Sequence, residues 1–139
     1  MKSREDLIVK VSIERLKEVL RWREVLPIVR KAIGRVLRAK RIYVFGSCIS
    51  GDLTADSDVD IAVILDNVPE NARKRAAIVD RIWRELEEEG VSFWYPLEIH
   101  LITLNEKEML ERGGAKFVEI DKLLKPSENQ RRVNSTKSF

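Results

Sequence analysis

Cysteine, histidine and glutamine occur once each in this 139-residue chain, and no apolar run is long enough to cross a bilayer. The single cysteine, Cys48, excludes an internal disulfide framework and fits a reducing compartment. With no secretory leader or membrane span to read, the expectation is a soluble cytoplasmic protein without a membrane partner. A large charge excess is lacking too. Charged residues make up 35% of the chain but nearly cancel, to a net +3, which gives no reason to expect direct nucleic-acid binding. So many balanced charges with so little glutamine match a surface laced with ion pairs, as in heat-adapted proteins. No internal repeat is present. The length suits one domain, expected over residues 1–124, with helices at 7–39 and the core of the domain at 41–104. From Lys125 onward the chain is polar, contains Pro126 and loses apolar periodicity, so a mobile tail is expected over 125–139.

What is present centres on residues 46–63. An apolar run, Ile42-Tyr43-Val44-Phe45, leads into Gly46-Ser47; a short segment with a second glycine, Gly51, follows; then Asp58-Val59-Asp60 opens the run from Ile61 to Leu65. This reads as strand, tight turn, helix N-terminus, strand. Amides at a helix start lack intrahelical partners and suit a phosphate. Residues two apart on a strand share a side, so Asp58 and Asp60 are expected to project together, where a divalent cation relieves their repulsion. A phosphate cradle beside paired carboxylates is the apparatus of phosphoryl or nucleotidyl transfer.

Gly46-Ser47, ten intervening residues and then Asp58-Val59-Asp60 resembles the signature of the DNA polymerase β-like nucleotidyltransferase superfamily, and the short chain most resembles its minimal nucleotidyltransferases. Pro96-Leu97-Glu98-Ile99-His100-Leu101-Ile102-Thr103 resembles the family strand that carries a third carboxylate. The resemblance implies that Asp58, Asp60 and Glu98 hold two Mg²⁺ ions, with Glu98 favouring deprotonation of the attacking hydroxyl. It further implies that Ser47 contacts the β- or γ-phosphate, with Gly46 permitting close approach. Gly51 is expected to let the segment pack closely, in a nucleotide-binding or a purely structural role. Where the family often has Arg just before the second glycine, this chain has Ser50. Another basic residue must then meet the triphosphate, or binding is weak. Cys48 has no His or Asp at a telling spacing and reads as a small buried residue. His100 shares a strand face with Glu98 and is either structural or near the metals.

Along the rest of the chain, Val9, Ile13, Leu16 and Leu20 form one helical stripe, and Trp22, Leu26, Val29, Ile33 and Val36 a second, out of phase. Both are expected to pack in the core, with the break between them at Pro27. Ala72, Ala76, Val79, Trp83 and Leu86 predict a further helix, closed by Gly90. Its basic start (Arg73, Lys74, Arg75) and acidic end (Glu87, Glu88, Glu89) oppose the helix dipole, which suggests a solvated face. Phe93-Trp94-Tyr95-Pro96 could stack on a base or simply pack at a turn. Asn105 with Glu108 resembles a capping box for a short helix stopped by Gly113-Gly114, and residues 117–120 an edge strand.

The expected fold is α+β: a small mixed sheet of three or four strands with helices mainly on one face and the carboxylates on the other, open face. The function implied by the resemblance is transfer of a nucleoside monophosphate, AMP from ATP, to a hydroxyl. Minimal proteins of this type resemble antitoxins of helical HEPN-domain partners, so a tyrosine on such a partner is the implied acceptor. The alternatives are an antitoxin that neutralises a helical partner by occlusion, its nucleotide site vestigial, or transfer to a small molecule, for which the chain is short of an acceptor domain. A partner or a second copy of the chain would complete the cleft.

Overall fold

A computed structural model describes residues 3–39 and 41–124. Two consecutive helices, α1 (Arg4–Leu20) and α2 (Trp22–Val36), precede β1 (Arg41–Phe45). A single helical turn, α3 (Ser47–Ser50), and a loop lead to β2 (Val59–Ile64), and α4 (Ala72–Glu88) crosses to β3 (Leu97–Ile102). Then follow α5 (Leu104–Arg112), a two-residue β4 (Val118–Glu119) and α6 (Ile120–Leu124). The strands form one mixed sheet in the order β3-β2-β1-β4. β1 runs antiparallel to β2 and β4, and β2 runs parallel to β3, the pair joined through α4. This is the α+β architecture expected from the sequence.

Alternation along the strands sorts residues into two layers. Val44, Val59, Ile61, Val63, Leu97, Ile99 and Leu101 face α2, α4 and α6 and form the main core with Leu26, Val29, Ile33, Ile82, Leu86 and Ile120. Each such aliphatic side chain, taken fully out of water, stabilises the fold by about 1.5–3 kcal/mol. The opposite face holds a small cluster of Tyr43, Ala62, Ile64 and Ile102, flanked by Phe45 and Phe117. The rest of that face carries Asp60, Glu98 and His100.

Several local expectations change. The helix break falls at Arg21, whose φ of −91° and ψ of 15° serve both ends, while Pro27 sits inside α2. Proline costs only one donor there, and the second stripe packs as expected, with Trp22, Leu26, Val29 and Ile33 buried. The first stripe does not. Val9, Ile13 and Leu20 are exposed, and Val19 is the only buried residue of α1, because the core layer is already filled by α2 and α4. A Ser3–Asp6 capping box starts α1.

On α4 the buried residues are Ile82 and Leu86, while Ala72 and Ala76 are exposed. Its acidic end meets α2: Arg35 contacts Glu85 and Glu89 at 3.1 Å each, and Lys31 reaches Glu89 at 3.3 Å. Those cations hold the Glu89 carboxyl below its ordinary value, Lys31 most strongly. Arg73, Lys74, Glu87, Glu88 and Glu89 are all exposed, the solvated face expected from the sequence, and the cations of α2 offset the dipole at Glu85 and Glu89. Thr103, not Asn105, caps α5, its hydroxyl accepting from the Glu106 amide at 3.2 Å. The expected edge strand shrinks to β4, because Ile120 already begins α6. Residues 125–139, assigned to a tail, lie outside the described residues.

Candidate active site

Gly46 makes the turn out of β1 with φ 84° and ψ −157°, a region open essentially to glycine alone. A Cβ at this position would lie 2.3 Å from Asp60 Oδ2, so the missing side chain is what lets the turn close on that carboxylate. Ser47 follows as the first residue of α3, and the amides of Ser50 and Ile49 both donate to the Gly46 carbonyl, at 3.1 Å. Gly51 ends the turn in the left-handed region (φ 87°), its amide donating to the Ser47 carbonyl at 2.9 Å. Its positive φ fits the turn conformation, and nothing packs within 4 Å of where a Cβ would stand.

Asp60 sits opposite Phe45 on β1 and beside Glu98 on β3. This register brings Asp60, Glu98 and His100 together, with one ligand atom from each lying within 4.8 Å of the others. His100 Nε2 is 3.4 Å from Asp60 Oδ1 and 3.8 Å from Glu98 Oε1. The hydrogen bond to Asp60 is the main cause that raises the His100 pKa; partial burial opposes it and the charge on Glu98 assists. The imidazole packs at a tilt on Phe45, centroids 5.2 Å apart, and Phe45 in turn stacks on Phe117 at 4.7 Å. Aromatic packing thus fixes the ring that faces the two carboxylates.

Asp58 lies one residue before β2 and is not part of that group. Its Oδ1 meets Arg15 Nη2 of α1 at 3.4 Å, and Arg15 Nε donates to the Ala55 carbonyl. Ser57 steadies the same loop by accepting from the Thr54 amide at 2.8 Å. Cys48 is buried near the Phe45 carbonyl, and burial pushes its thiol pKa up, which suits an inert side chain rather than a nucleophile.

Of the six residues singled out from the sequence, Gly46, Asp60 and Glu98 therefore converge with His100, and Ser47 adjoins them through Gly46. Asp58 stands at the rim on a cation, and Gly51 shapes the turn. His100 is half-visible in the alternation of β3. Arg15 carries no signal, being one charge among many on a helix 43 residues away from Asp58.

Two carboxylates and an imidazole on the open face of a mixed sheet, against a glycine turn, define an α+β protein with a candidate cation site beside a helix start. The chain belongs to the nucleotidyltransferase domain family, whose model matches residues 23–126. A comparison with curated proteins finds no match. Among solved structures, a Sulfolobus solfataricus protein provisionally named a nucleotidyltransferase is similar, at 20% identity and a TM-score of 0.47, with 80% of this chain and 83% of that one covered. Among the described residues, no helix is long and apolar enough to cross a membrane.

Proposed function

We propose that this nucleotidyltransferase-family protein moves a nucleoside monophosphate, AMP from ATP, to a hydroxyl group. The hydroxyl oxygen bonds to the α-phosphorus, the bond to the β-phosphate oxygen breaks, and pyrophosphate leaves. Glu98, exposed at the sheet edge, takes the hydroxyl proton. Ser47 donates from its hydroxyl and amide to the phosphates, and Gly46 leaves room for them. Asp58, Asp60 and Glu98 are the proposed holders of Mg²⁺. Asp60 and Glu98 offer the oxygen donors that Mg²⁺ requires. Bound divalent cations would neutralise triphosphate charge and assist departure of pyrophosphate. His100 orients Asp60.

The observation that carries this reading is the position of the Asp60 carboxylate, held against the Gly46 turn on one side and the His100–Glu98 pair on the other. The proposed acceptor is a tyrosine of a small helical HEPN-type protein. Incubating the protein with labelled ATP, Mg²⁺ and the product of the neighbouring gene should label that partner. Silence with every NTP, and with Mn²⁺ in place of Mg²⁺, would overturn the proposal.

The exposed apolar residues of α1 support a second reading, in which the protein neutralises a partner by covering it; a second copy of the chain is the other candidate for that surface. Asp58→Asn combined with Asp60→Asn separates the readings. Chemistry requires that neutralisation disappear while the complex persists; occlusion requires that neutralisation survive.

A further inference from the structure

A cavity of about 420 Å³ opens between α1 and the segment that leads into β3. Trp94 and Pro96 form one wall, Val11 of α1 the other, and Glu14, Arg15 and Glu18 line it with charge. Two polar contacts tie α1 to the chain around it. The Tyr95 hydroxyl donates to the Glu18 carbonyl at 2.9 Å, and Arg15 reaches across to Ala55 and Asp58. The cavity borders the segment that carries Asp58 into β2, at two residues. Arg15 lines it and contacts Asp58 at 3.4 Å, while the Pro96 carbonyl accepts from the Val59 amide at 2.7 Å, between Asp58 and Asp60 in sequence.

We propose that this cavity is the subsite for the nucleobase of the NTP, with Trp94 as the stacking platform. The inference rests on the nucleotidyl-transfer reading and adds to it the place where the nucleoside binds. The indole-bearing Trp94 is 58% exposed, although it sits beside the buried Tyr95 and Pro96. An exposed indole on the approach to a strand offers a flat apolar face to any base. Lys10, Glu14, Arg15 and Glu18 line the same cavity, so residues with donors and with acceptors both border that face, the Arg15 guanidinium being held on Ala55 and Asp58. A heteroaromatic ring with several polar edges uses such a rim; a phenol, with one hydroxyl, leaves most of it unmet. The size suits a small-molecule site. Arg15, on the boundary, is a basic residue in contact with Asp58, where Ser50 leaves the loop itself without one.

The test is calorimetry on the full chain with Mn²⁺ present and two probes, a non-hydrolysable ATP analogue and inorganic tripolyphosphate. The wild-type protein should bind the analogue more tightly than tripolyphosphate. Trp94→Ala should weaken the analogue about tenfold and leave tripolyphosphate unchanged, with Trp94→Phe close to wild type. An unchanged analogue affinity in Trp94→Ala overturns the subsite. So does equal loss for both probes, which marks a structural effect. So does an effect confined, in the transfer assay, to the KM of the acceptor, which gives the cavity to the acceptor instead. If the wild-type protein binds neither probe, the nucleotide site itself fails and this subsite falls with it.

Discussion

The two glycines that bracket α3 act differently, and substitution should show it. Gly46 combines a glycine-only backbone conformation with a carboxylate oxygen where a Cβ would stand, whereas Gly51 has only the positive φ, in open space. Gly51→Ala should cost about 1 kcal/mol in chemical unfolding and leave metal and nucleotide binding intact. Gly46→Ala should cost about 1–3 kcal/mol from the backbone alone and also displace Asp60, abolishing Mn²⁺-dependent nucleotide binding by calorimetry. Equal behaviour of the two variants would contradict this account. His100 yields a pH prediction. Its folded pKa is raised above the usual 6.5, chiefly by the hydrogen bond to Asp60. Its contribution is therefore fully present below pH 6.5 and is lost as pH rises through the higher folded value. Thermal unfolding in a chelator should show stability falling across that interval, and His100→Gln should flatten the fall.

At the level of elements, α1 depends on polar ties more than on its own packing. Only Val19 is buried, so Tyr95–Glu18 and the contacts of Arg15 carry much of its attachment. Tyr95→Phe removes one tie at a net cost of about 1 kcal/mol or less. Amide hydrogen exchange should quicken through α1 and stay unchanged in α2 and α4; uniform exchange would show that α1 is attached otherwise. The same helix marks a limit of pattern reading. Val9, Ile13, Leu16 and Leu20 have helical spacing, and that spacing correctly gives a helix. Periodicity reports which residues share a face, but not whether another element is left to cover it. In α2 the equivalent stripe is buried because the sheet needs that layer. The cap of α5 sits two residues before the one its spacing suggests, for a local reason. Thr103 and Asn105 can both accept from an amide, and β3 ends at Ile102, which leaves Thr103 free to do it.

For the molecule as a whole, the mixed sheet and its helical layer are legible in the sequence because short apolar runs are separated by helical stripes, β3 alternates over residues 97–101, and Gly46-Ser47 marks the turn after β1. Asp60 and Glu98 are legible in the same way, as polar positions on otherwise apolar strands. The loop that turns Asp58 toward α1 is not, since alternation stops constraining a side chain where pairing stops. Nor does any local pattern link Arg15 to that loop.

The parallel pairing of β2 with β3 has a consequence for synthesis. Asp60 and His100 are 40 positions apart, and the intervening α4 must be laid down before their strands can align. A nascent chain that has emerged only as far as α4 presents the glycine turn and Asp60 with neither Glu98 nor His100 beside them. With the cation held as proposed, its full set of holders exists only once the sheet has closed, and a chain stalled or truncated before β3 would lack Glu98.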